Sequence, residues 1–91
     1  MTMTTFKIDD TLNLTKRGFV LLGDILSGHI SVGNFIHFSL DVKMHRIKIL
    51  GVEMADFSDG KTKVGLLISF ADKEKIKDIN LVGLEVKIES N

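Results

Sequence analysis

Apolar and polar residues alternate along most of this chain with a period of two, the period of a strand that buries one face. Phe6 and Ile8 flank Lys7, and Asp9-Asp10 is expected to break this first strand. Leu12 and Leu14 alternate with Asn13 and Thr15 in a second, short extended piece. Ile36, Phe38 and Leu40 alternate against Phe35, His37 and Ser39, and Asp41 to Met44 reads as a connection. From His45 to Met54 a single strand is expected, with Ile47 and Ile49 set against Arg46 and Lys48. Asp56 to Gly60 reads as a turn in which Asp59-Gly60 is a strong hairpin signal. Lys61 to Phe70 then places Val64, Leu66, Ile68 and Phe70 on one face, and Leu84, Val86 and Ile88 point inward in a last strand ending at Glu89.

Two stretches depart from this alternation. Between Ala71 and Asn80 the spacing of Ile76 and Ile79 predicts one or two helical turns, with Asp72 as the cap and Asn80 as the stop. Gly18 to Leu26 is too continuously apolar for a strand covered on one side, and a strand that curls, inward at one end and covered at the other, accounts for it and for Gly23. Gly18, Gly23, Gly28 and Gly33 punctuate this region at an even spacing, with turns expected at Ser27-Gly28 and at Val32-Gly33-Asn34. Glycine is costly inside a strand, so each should mark a bend, a bulge, a close approach or a positive φ. Many short strands with one helical turn predict an all-β fold. The expected architecture is a small closed antiparallel barrel of six or seven strands, formed by residues 1–91 as a single domain.

Composition narrows the function classes. Twelve Lys and Arg balance twelve Asp and Glu, which disfavours strong non-specific binding to nucleic acid. There is no cysteine, so neither disulfides nor thiolate metal sites can stabilise the fold. The N-terminal residues lack the apolar segment of a signal peptide, and no apolar run approaches the roughly 20 residues of a membrane span. A cytoplasmic protein with no membrane partner is the expectation.

Thr15-Lys-Arg-Gly-Phe-Val-Leu-Leu-Gly-Asp-Ile-Leu-Ser-Gly-His-Ile-Ser-Val-Gly-Asn34 resembles the opening of the second domain of elongation factor Tu and related translational GTPases. Ile49-Leu-Gly-Val-Glu-Met54 and Val64-Gly-Leu-Leu-Ile68 are similar to two later strands of that domain, and the polar run Asp72–Asn80 to its short turn before the last strand. The resemblance extends from about Phe6 to Glu89. It implies a β-barrel, and a surface that contacts tRNA or ribosomal RNA, without the GTPase domain that accompanies the module in the family. On that basis Glu53 matches a glutamate beside the terminal adenosine of tRNA, Arg17 the arginine of an Arg-Gly pair, and Val64 and Leu67 apolar positions of the same pocket. Lys16 departs from a glycine, Ala55 and Asp56 from a histidine and an arginine, and Lys63 from an asparagine, and the loop before Val64 is shorter. The binding residues expected are Arg17, Glu53, Lys63, Val64 and Leu67.

Other constellations are weaker. Ala55 to Thr62 fits a relaxed phosphate-loop pattern, but a strand pattern follows it instead of a helix, and Asp56 and Asp59 would repel phosphate, so a hairpin turn is preferred. His29, His37 and His45 have no spacing that sets two on one face as metal ligands. Lys16, Arg17, Lys43, Arg46, Lys48, Lys61 and Lys63 could form an RNA-facing patch, with Arg46 and Lys48 on one outward face. Without Tyr or Trp to stack bases, ordinary solubilising charge is the preferred reading. No nucleotide, metal or other cofactor is expected. The chain reads as a non-enzymatic binding module that contacts tRNA, rRNA or a translation component, with a protein–protein adaptor lacking any RNA role as the alternative.

Overall fold

A computed structural model describes residues 4–14, 16–40, 43–56, 60, 62–77 and 79–89. Seven strands and one helix follow in the order β1 (Thr4–Leu14), β2 (Gly18–Ser27), β3 (Phe35–Leu40), β4 (Lys43–Lys48), β5 (Gly51–Asp56), β6 (Thr62–Ile68), α1 (Phe70–Lys75) and β7 (Glu85–Glu89). All strand pairs are antiparallel, in one sheet of order β4-β3-β7-β1-β2-β6-β5. The all-β class and the expected alternation hold through most of the chain. Inward residues of every strand meet in one core, where Phe6, Ile8, Leu21, Ile36, Ile47, Leu66 and Ile68 are fully buried. Each such side chain contributes about 1.5–3 kcal/mol of burial, which carries a fold that has no disulfide to constrain it.

The expected break at Asp9-Asp10 is a bulge instead. β1 runs unbroken past it, and the register steps from Ile8 opposite Gly23 to Asp10 opposite Leu22, so Asp9 has no partner across the ladder. One extra residue inverts the alternation that follows. Phe6 and Ile8 point into the core, while Leu12 and Leu14, which the sequence alternation puts on the same side, point out. Gly23 makes the bulge fit, because a Cβ there would overlap the carbonyl of Lys7. The expected turn at Val32-Gly33-Asn34 is present: Gly33 has φ +93°, and buried Asn34 accepts from the Ser31 amide at 2.9 Å while its own amide donates to the Ser31 carbonyl at 3.1 Å.

Closure of the barrel is the main correction. β4 and β5 are the two ends of the sheet and form no ladder with each other. The stretch expected as one strand from His45 to Met54 is one extended line that changes partner midway. Ile49 donates its amide to Asn34 and accepts from the Gly33 amide, both at 2.9 Å and both on the β3 side, whereas the next amide, Leu50, donates to Leu67 on the β6 side at 2.8 Å. Consecutive amides of an extended chain point to opposite sides. The same line therefore edges both ends of the sheet, its first half beside β3 and its second half beside β6, and β4 and β5 form no ladder that would close it.

Smaller corrections follow from local chemistry. Lys43 and Met44 already belong to β4, and the expected connection at 41–42 lies outside the described residues. β5 and β6 form the expected hairpin with Asp56 opposite Thr62; Gly60 has φ +83°, while Asp59 lies outside the described residues. Phe70 leaves the β6 face and starts α1, because Ser69 and not Asp72 is the cap: its hydroxyl accepts from the Asp72 amide at 3.0 Å. α1 has no buried residue of its own but delivers Ile76, at its end, fully into the core. Too short to persist alone, it is tied down by Lys73, whose ammonium lies 4.8 Å from the Phe19 ring and 3.1 Å from Asn13. No helix is long and apolar enough to cross a membrane among the described residues.

Candidate functional site

Residues directly opposite in an antiparallel ladder share a face. Across the outer face of β1, β2, β6 and β5 the register therefore builds two adjacent rows: Leu12, Val20, Leu67 and Gly51, then Asp10, Leu22, Gly65 and Glu53. Leu12 and Leu14 reach this face through the Asp9 bulge. Val20 is only 8% exposed yet stands outside the core cluster, so its burial comes from these outer neighbours. The second apolar side of β2, anticipated from its continuous apolar run, is this surface.

Glycines keep the surface low. A Cβ on Gly65 would lie 3.0 Å from Val20 and 3.4 Å from Leu22, and one on Gly51 would lie 3.4 Å from Leu67. Val20, Leu22 and Leu67 thus lie over backbone instead of over side chains, and form an apolar platform with Leu12 exposed at its rim. A glycine inside a strand marks a place where another group approaches closely.

Charged groups bound the platform at two sides. Arg17, in the β1–β2 turn, reaches Glu53 of β5 with 3.4 Å between Nη2 and Oε1, and both side chains are 63% exposed. Such a pair is weak in water, so both ends are available to another partner. The turn that presents Arg17 holds Lys16 at φ +73°, the left-handed conformation that favours glycine, and Arg17 closes it by donating its amide to Leu14. Lys16 therefore adopts a backbone conformation that glycine would take more readily.

Lys63 takes a different role from the one expected. Its ammonium donates to Asp9 at 2.7 Å and Asp24 at 2.9 Å, and these bonds, Asp24 first, raise its pKa above the ordinary 10.5. The same bond from Lys63 is the main cause that lowers the Asp9 carboxyl from 3.8. Lys63 locks the bulge to β2 and β6, and two carboxylates neutralise it. Val64 is also placed away from the platform, buried in the core at 8% exposure. Of the expected residues, Arg17, Glu53 and Leu67 converge on one face, Lys63 stands at its border already engaged, and Val64 lies on the opposite side of the sheet.

A second group of charged side chains gathers on the outer face of β3, β4 and β7. Arg46 and Lys48 share the outer face of β4, as their alternation predicts, opposite His37 and Phe35. The Arg46 guanidinium lies 4.3 Å from the Phe35 ring centre and binds Glu89 at 2.8 Å. His37 meets the same carboxylate at 3.1 Å, and these two contacts, His37 first, hold Glu89 below its ordinary value. Among the described residues no three His, Asp or Glu converge as metal ligands. The turn around Gly60 leads into strand β6, so it lacks the helix start of a phosphate loop.

Sequence reasoning missed Asp9, Asp24, Leu12, Leu22 and Gly65. The signal for the leucines lay in the parity flip at Asp9, which alternation alone conceals. Comparison with protein-family models, with curated proteins and with solved structures gives no match to this chain.

Proposed function

We propose that the chain is a non-enzymatic binding module whose recognition face is the glycine-floored platform around Leu67, with Arg17 and Glu53 at its edge. The observation that carries this reading is the convergence of Arg17, Glu53 and Leu67 on one outer face where Val20, Leu22 and Leu67 lie flat over Gly65 and Gly51. An apolar floor with an arginine and a glutamate at its edge suits a flat, partly apolar group that also offers hydrogen bonds. The resemblance to the second domain of translational GTPases gives that group its class: the end of an RNA chain, or a translation component that carries one. A reading as a protein–protein adaptor is favoured by one observation, the neutralisation of Lys63 by Asp9 and Asp24, which removes a cation from the border of this face.

The two readings part in a binding experiment. Titrating labelled tRNA and ribosomal RNA fragments at low salt is expected to show association that weakens as salt rises. Arg17→Ala should reduce the slope of log K against log salt by about one. Absence of binding at low salt rejects the RNA reading and leaves the adaptor.

A further inference from the structure

β4 and β5 end the sheet, and among the described residues neither has a second strand beside it. Hydrogen bonds at their junction fix which backbone groups are left over. Ile49 turns both its N–H and its carbonyl to the β3 side, so the alternation of an antiparallel ladder turns those of Arg46 and Lys48 toward the free edge. Leu50 faces β6, so by the same alternation Gly51 and Glu53 face the free edge of β5. Such open edges are templates for another chain.

We infer that these edges recognise each other between copies. β4 of one copy pairs antiparallel with β5 of a second, with Arg46 opposite Glu53 on the outer face and Ile47 opposite Val52 on the inner one. Charge favours this pairing over the two symmetric ones centred on Arg46 and on Glu53. β4 against β4, centred on Arg46, sets guanidinium against guanidinium, and β5 against β5, centred on Glu53, sets carboxylate against carboxylate. β4 against β5 matches opposite charges. Both side chains can take a new partner: Arg46 is 55% exposed beside Glu89, and Glu53 is 63% exposed at 3.4 Å from Arg17. The same register within one chain would need a tight reversal at Ile49-Leu50. That dipeptide has neither the Gly nor the Asn such a turn favours, and its amides are bonded to opposite sides. The match is therefore available only between copies. A bound pair still carries one free β4 and one free β5, so association continues beyond two. The edges are six residues each, a small interface, and association belongs to high protein concentration. The pairing shares Glu53 with the platform edge but is read out as mass, without any platform ligand present.

Sedimentation velocity on the full chain at low salt, over a wide concentration range, tests it. The wild type, Arg46→Glu, Glu53→Arg and an equimolar mixture of the two variants are compared. Weight-average mass is expected to climb with concentration for the wild type, and either reversal alone to weaken association by about tenfold or more. The mixture should recover it, because each reversed edge meets its complement. A wild type that stays monomeric overturns the inference, as does a single reversal that associates normally, or a mixture no better than its components.

Discussion

Lys63 shows how one residue departs from the role its position suggests. Set between Asp9 and Asp24 at 2.7 and 2.9 Å, it holds the β1 bulge in place. Asp9 has its pKa lowered below 3.8, so its contribution to stability is present above that value and is lost as pH falls through the lowered one. Lys63 has its pKa raised above 10.5, so its contribution is full below that value and is lost as pH rises through the raised one. Stability is expected to hold between these limits and to fall beyond each. Lys63→Met should lower the melting temperature near neutrality and shrink the loss on acidification, in thermal melts followed from about pH 7 to about pH 3. A neutral melting temperature equal to the wild type's would mean that the bridge stabilises nothing. Lys16 gives the opposite sign. Its left-handed backbone, φ +73°, costs a non-glycine residue about 1–2 kcal/mol. Lys16→Gly should therefore stabilise by about 0.5–1 kcal/mol after the added freedom of the unfolded chain is counted, as measured by denaturant unfolding.

At the scale of the element, the bulge in β1 decides what each face of the sheet carries. Without Asp9 between the registers, Leu12 and Leu14 would fall on the core side with Phe6 and Ile8, and the outer platform would lose its rim. Gly23 is the partner that permits this, so Gly23→Ala is expected to destabilise by roughly 3 kcal/mol or more, because backbone and not a movable side chain stands in the way. Urea unfolding measures it, and a loss below about 0.5 kcal/mol, usual for a surface substitution, would show that the strands separate freely there. The strands themselves were legible in the sequence, since β3, β6 and β7 follow the alternation of Ile36 and Phe38, Val64 to Ile68, and Val86 and Ile88. The bulge was not. Period-two alternation records only parity, and an extra residue leaves the pattern before and after it unchanged in form. The convergence of Arg17, Glu53 and Leu67 depends on register between β2, β6 and β5, which no local pattern carries. The departures of Lys63 and Val64 come from pairings with Asp9 and Asp24 and from the inward side of β6.

For the whole molecule, strand number and class follow from local residues, but closure depends on which distant strands the line from Lys43 to Asp56 meets. The sheet carries apolar residues on its inner side throughout and on its outer side across β1, β2 and β6. These two surfaces divide the labour. The core holds the strands together, and the outer platform is the surface proposed to bind.

The change of partner at Ile49 and Leu50 also sets up an internal clock for motion in the native state. Two amides adjacent in sequence are held by opposite ends of the sheet, one by Asn34 beside β3 and the other by Leu67 of β6. Protection from hydrogen exchange reports the opening of whatever unit holds each amide. If the β3–β4 end and the β5–β6 end open as separate units, these neighbours should exchange at clearly different rates and respond differently to mild denaturant. Equal rates and equal responses in native-state exchange by NMR would mean that the open sheet moves as one body.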